Sequence, residues 1–166
     1  MLLDKLKEKF GAAITASSNA LGEDTVVIAR DQAAEVFRTL HDDAEFAFEF
    51  LIDVTGVDWP ERRPRFEVVY QLKSISKNQR LRVKIHLETD DAWVPSAYPV
   101  WKSADWLERE CFDMFGVNFK GHPDLRRILM YDSFEGYPLR KDYLYNKRQP
   151  IVAEIDPVVN PIRSSR

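Results

Sequence analysis

A chain of 166 residues, 45% apolar and 31% charged, has the size of a single domain with one sizeable core. It contains no apolar run near the about 18 residues of a membrane-spanning helix, and a formal net charge of only −3 argues against bulk electrostatic binding of nucleic acid. The lone Cys111 permits neither an intrachain disulfide nor a cysteine cage for a metal.

In chain order, Leu2, Leu3, Leu6 and Phe10 mark a short amphipathic helix in which acids alternate with lysines. A secretory signal would show a basic start and an unbroken apolar segment, so residence on the cytoplasmic side of a bacterial-type cell is expected. "TVVIAR" then reads as a strand. Asp31 is positioned to cap a helix through "DQAAEVFRTLH", where Ala33, Val36, Phe37 and Leu40 share one side.

"EFAFEFLIDVTGVDW" alternates Phe46, Phe48, Phe50, Ile52 and Val54 with mostly polar neighbours, which predicts a strand with those five side chains inward. "RFEVVYQLKSI" repeats the pattern with Phe66, Val68, Tyr70 and Leu72. "RLRVKIHLE" repeats it with Leu81, Val83, Ile85 and Leu87 inward and Arg80, Arg82, Lys84 and His86 outward. "SKNQ" between the last two has the composition of a hairpin turn. Four strands, each with one apolar face, need helices over that face. The economical fold is therefore α+β, a two-layer sandwich with a mostly antiparallel four-stranded sheet. A final helix, about 103–115, completes the helical layer, and Gly116 suits its C-terminal cap.

The chain changes character there. Residues 1–116 carry 15 Lys+Arg against 21 Asp+Glu, and residues 117–166 carry 9 against 6 along with five of the nine prolines. No helical or strand period is sustained beyond Gly116, yet the segment holds Leu125, Ile128, Met130, Phe134, Tyr137 and Tyr143, and disordered segments are poor in such residues. The expectation is a body, 1–116, and an extended C-terminal arm, 117–166, that buries its apolar groups on a partner.

On the last helix, Ala104, Leu107, Cys111, Phe112, Met114 and Phe115 form the apolar arc. Asp105, Arg109 and Asp113 follow at i, i+4 spacing and read as a solvated ladder. Glu108 points into the middle of the apolar arc, where an unpaired carboxylate would cost several kcal/mol or take up a proton. It therefore needs a cation or another donor, with Arg126, Arg127 and Arg140 the candidates; a catalytic acid of raised pKa is the alternative.

The three histidines show no metal-ligand spacing, and the six glycines form no phosphate-binding loop. The basic outer positions of the sheet lack the aromatic motif of RNA-binding modules and read as a solvated face.

The segment from Glu108 to Leu129, with Glu108, Arg109, Glu110, Asp113, Met114, Phe115, His122, Arg126, Ile128 and Leu129 in register and "EGYPLRKDY" following, closely resembles the signature of the C subunit of proton-pumping NADH:quinone oxidoreductase, respiratory complex I. The resemblance implies a cofactor-free structural subunit of the peripheral arm, attached to the cytoplasmic face of the bacterial inner membrane only through the complex. It implies a chain that docks the quinone-proximal D subunit and the neighbouring B and I subunits, with NADH, FMN, iron-sulfur clusters and quinone held elsewhere in the complex by partner subunits. It further implies that Glu108, Arg109, Glu110 and Asp113 on the helix and His122, Arg126, Arg127, Arg140, Lys141 and Asp142 on the arm order and dock their junction, with no catalytic, cofactor or metal residue in the chain. Two alternatives stay open: the equivalent subunit of a membrane-bound hydrogenase or other quinone reductase, and a free-standing enzyme using Glu108 and His122 as an acid-base pair.

Overall fold

The structure is a computed structural model and describes residues 1–149; the part of the expected arm from 150 to 166 lies outside the described residues. Helix α1 (Leu2–Phe10) leads into strands β1 (Ile14–Ala20) and β2 (Glu23–Ile28), then α2 (Ala33–Asp42), β3 (Phe50–Asp58), β4 (Phe66–Ser74) and β5 (Gln79–Leu87). A short β6 (Trp93–Pro95), the last helix α3 (Ala104–Phe115) and β7 (Asn118–Lys120) follow.

The main sheet has five strands in the order β1-β2-β5-β4-β3, one more than the periodicity predicts. The meander β3-β4-β5 is antiparallel, whereas β2 runs parallel to β5, so the sheet is mixed. β6 and β7 pair in parallel apart from it.

One face of the sheet is dry. Phe66, Val68, Tyr70 and Leu72 of β4 and Leu81, Val83, Ile85 and Leu87 of β5 are all buried, as the alternation requires. α2 covers them with Ala33, Val36, Phe37 and Leu40, and the Phe37 ring lies 4.7 Å from Tyr70 and 5.8 Å from Trp101. α3 covers β3 so closely that a Cβ on Gly56 would meet the Phe115 ring at 2.6 Å. Val117 and Phe119 belong to this core too.

The five inward side chains expected near β3 do not all point inward. Phe46 and Phe48 are buried, but they precede the strand, in a turn where Ala47 takes φ 47°. Within β3 it is Leu51 and Val54 that are buried, whereas Phe50 and Ile52 are exposed. The register explains this: Leu51 pairs with Leu72 and Asp53 with Gln71, so Ile52 is an extra residue in a β-bulge that breaks the period of two. Asp31 lies in a 3-10 turn ahead of α2 and makes no capping bond to it.

Candidate functional site

The junction between α3 and the segment after it collects most of the charged groups of the signature. α3 ends at Gly116, whose φ of 73° is left-handed and whose N–H donates to Phe112 O. A Cβ there would lie 2.5 Å from Tyr137 and 2.6 Å from the Arg140 guanidinium. Only glycine lets the following chain close over the end of the helix.

Asp113 is the centre of that closure. Its side chain is 0% exposed, and Oδ2 accepts the consecutive N–H groups of Ile128, Leu129 and Met130 at 3.1, 2.8 and 2.8 Å. Oδ1 accepts from Arg127 Nη1 at 2.5 Å, and Arg127 Nη2 goes on to Gly136 O at 3.1 Å. Burial alone would raise this carboxyl, but the Met130 amide, the Arg127 guanidinium and the Leu129 and Ile128 amides together hold it below the usual range. The solvated ladder expected for Asp105, Arg109 and Asp113 is thereby corrected. A helical wheel places Asp113 opposite the sheet but cannot show that the returning chain covers it.

A second clasp holds the segment further along. Asp58, at the end of β3, accepts from Arg65 Nε and Nη2 at 2.7 and 2.8 Å and from the Lys141 N–H at 2.7 Å. Arg65 Nη1 reaches Asp142 at 2.8 Å. The Arg65 bonds, against a smaller cost of burial, lower the Asp58 pKa. Arg140 donates to Phe115 O at 2.5 Å, with its guanidinium 4.5 Å from the Tyr137 ring and 4.9 Å from that of Phe66. Asp58 and Arg65 were not singled out by the sequence. The residues they hold are 77 and 83 positions away, and no local spacing signals such a pair.

The remaining signature residues are less committed. Arg109 donates to the carbonyls of Arg126 and Arg127 at 3.2 and 3.3 Å. The His122 side chain is fully buried; Nδ1 accepts the Asp124 N–H at 3.1 Å, so Nε2 carries the proton and donates to Asp105 O at 3.0 Å. Arg126 is exposed and pairs with Asp124 at 2.9 Å. Glu110 is exposed, with no hydrogen bond or ion pair among the described residues.

Glu108 is 0% exposed, and the cation expected for it is not found among the described residues. Instead Oε2 accepts the Ser96 hydroxyl and Oε1 the Ala97 N–H, both at 2.6 Å. Ser96 Oγ in turn accepts the Tyr98 N–H at 3.1 Å, which leaves its proton for Glu108. None of the three candidate arginines reaches this point, because Arg127 and Arg140 are engaged at the exit from α3 and Arg126 faces solvent. Burial pushes the Glu108 carboxyl up to about 7 despite those two donors. The neighbouring Tyr70 hydroxyl is buried with no hydrogen-bond partner among the described residues. Glu108 and His122 do not bond to one another, and the geometry assembles no acid-base pair from them.

Among the described residues there is no group of three or more His, Cys, Asp or Glu able to hold a metal, and no helix long and apolar enough to cross a membrane. Fold and junction together define a small α+β domain whose C-terminal segment is strapped to its last helix and to the end of its edge strand by carboxylates. Residues 26–149 match the family described as the respiratory-chain NADH dehydrogenase 30 Kd subunit, and the chain belongs to that family. It is 53% identical over 132 residues to the C subunit of the NADH-quinone oxidoreductase of Maricaulis maris, covering 80% of this chain and 66% of that one. The same subunit of Citrifermentans bemidjiense is 49% identical over 139 residues, covering 84% and 85%. Among solved structures, a trypsin-resistant fragment of Nqo5 superposes with a TM-score of 0.65 at 33% identity, over 75% of this chain and all of the fragment. A chain of an archaeal membrane-bound sulfane sulfur reductase superposes with a TM-score of 0.73 at 24% identity, over 87% and 85%, a likeness of fold alone.

Proposed function

We propose that this chain is a cofactor-free structural subunit of a proton-translocating NADH:quinone oxidoreductase. In this reading its segment beyond Lys120 is a docking arm for the quinone-proximal D subunit, with the B and I subunits nearby, and residues 117–120, expected in the arm, belong to the body. NADH, FMN, the iron-sulfur clusters and quinone reside in partner subunits of the complex, and the chain is peripheral on the cytoplasmic face of the bacterial inner membrane.

The observation that carries the reading is the two-sidedness of residues 121–149. Their polar backbone groups and Arg127 turn inward to Asp113 and Asp58, while Leu129, Tyr131, Leu139, Leu144 and Tyr145 stay exposed. Apolar groups presented in series on a polar-anchored strap suit a protein surface. The fragment of the related Nqo5 is called trypsin-resistant, which supports a compact body to which such an arm is attached.

The test replaces the chromosomal gene with one ending after Lys120. The shortened chain should accumulate as a folded body, absent from the membrane-bound complex, and membrane NADH:quinone reductase activity should fall with it. Full activity without the arm would overturn the reading.

A further inference from the structure

The two edges of the main sheet are unlike. β1 is a run of Thr, Ala, Ser and Asn side chains that are exposed or half-buried, a polar edge of the kind that resists pairing with another strand. β3 exposes Phe50 (48%) and Ile52 (42%), and Trp106 (69%) stands beside them near the start of α3. These three, with Leu51, Lys102 and Leu107, line a hollow of about 420 Å³. Ile52 also lines a second hollow, about 220 Å³, that continues over the outer face past Gln71 and Arg80.

Apart from the Leu51 carbonyl, which accepts from the Ser103 hydroxyl, β3 from Phe50 to Val57 has no backbone hydrogen bond to anything but β4 among the described residues. The strand therefore presents free N–H and C=O groups beside exposed apolar side chains. Charge narrows what fits there. On the outer face Arg82 and Lys84 are paired with Glu23 and Glu67, but Lys73 and Arg80, in register with Phe50 across the sheet, have no acid partner among the described residues. Lys102, on the other side of the hollow, meets only the Tyr98 ring, at 3.9 Å. Against these three cations the patch offers Asp53, Asp105, which is turned to His122, and, lining the second hollow, Glu23, which is paired with Arg82, and Asp24, which accepts from the Asn19 amide.

We propose that the free edge of β3 receives an extended, apolar and acidic segment of a neighbouring protein subunit, which adds as a strand and lays its apolar side chains against Phe50, Ile52 and Trp106. Backbone pairing supplies the register and the uncompensated Lys73, Arg80 and Lys102 supply the preference for acidic flanks. This surface is separate from the arm, and it rests on the reading that the chain is one subunit among several.

Photo-crosslinking of the full-length tagged chain, made in cells that assemble the complex, tests it. Benzoylphenylalanine is placed in turn at Phe50, Trp106, Ser18 on the β1 edge and Tyr145 on the arm, and the captured peptides are sequenced by mass spectrometry. Phe50 and Trp106 should capture the same acidic, apolar stretch of a partner subunit, at least tenfold more than Ser18. Lys73→Glu combined with Arg80→Glu should lower capture at Phe50 at least fivefold; unchanged capture would remove the charge preference. Capture no greater than at Ser18, or capture of this chain's own residues or of a second copy, overturns the proposal. If Tyr145 captures a partner while Phe50 and Trp106 do not, the edge proposal fails and the subunit reading stands; if none captures a partner, the subunit reading fails as well.

Discussion

Between helices and sheet, Phe37, Phe46, Phe48, Phe66 and Ile85 are almost wholly removed from water, whereas from Gly121 to Gln149 no residue is buried as a whole, although the His122 side chain is. The body is held by apolar area and close packing, which are spread over dozens of side chains and change little with pH. The strap is held at a few points by charged acceptors: Asp113 takes three amides and Arg127, and Asp58 takes Arg65 and the Lys141 amide. One chain thus contains a region that fails as a single unit and a region that can be released at single residues.

The largest effect is expected in the body. Phe37→Ala removes a ring packed on Tyr70 and Trp101 and should cost about 3–5 kcal/mol, seen as a lower denaturant midpoint for the whole chain. Loss of only local protection around α2 would count against a single cooperative core.

Asp113→Ala should cost about 2–3 kcal/mol, because several charge-assisted bonds vanish together. Here the loss should be local. The amides of Ile128, Leu129 and Met130 should exchange rapidly with solvent while β4 and β5 stay protected. Acid should act like the mutation: Asp113 and Asp58 have lowered carboxyl pKa values, so their stabilisation is complete above the ordinary carboxylate range and lost as pH falls through the folded values. A strap that unfolds only together with the body would show that the two regions are not distinct.

Glu108 gives the opposite sign. Its folded value of about 7 stands above the ordinary 4.5, so the folded chain binds this proton more tightly than the unfolded chain. That stabilisation is full below the ordinary value and disappears as pH rises through about 7, a loss of up to about 3 kcal/mol. Glu108→Gln keeps an acceptor for Ala97 and carries no charge, while its amide N–H faces Ser96 Oγ and reverses the direction of that bond. It should flatten this slope and raise stability at pH 8 by about 1–3 kcal/mol. Parallel pH–stability curves for the parent and the variant would show that Glu108 keeps an ordinary value.

The smallest effect is expected for Gly116→Ala, about 1–2 kcal/mol, because the left-handed φ and the contacts with Tyr137 and Arg140 both oppose a methyl group. The loss should appear in exchange of the strap near Tyr137, with α3 unchanged up to its last turn.

Periodicity revealed α2, α3, β4 and β5 because each buries one face against the same core. It missed β1, since "ITASSNA" lies at the sheet edge and puts almost nothing into that core. It inverted Phe50 and Ile52 because a bulge adds one residue to a pattern that counts by twos. At the junction, the charged residues were visible but their partners were not. Glu108 and Asp113 are satisfied largely by backbone N–H groups, which every residue but proline carries and which leave no mark in composition.

The parallel pairing of β2 with β5 has a consequence for how the chain reaches its fold. β3, β4 and β5 are joined by short connections, so they can zip together as soon as they meet. Asp24, in contrast, must find Leu81 and Val27 must find Lys84 across the whole intervening chain. The β1-β2 hairpin emerges first during synthesis, yet it has no seat until β5 exists. Refolding should therefore nucleate in the meander, with the hairpin joining late: truncating Val68 or Val83 should slow folding, whereas truncating Val26 should chiefly speed unfolding. The opposite pattern in a stopped-flow series would place the nucleus at the amino-terminal hairpin.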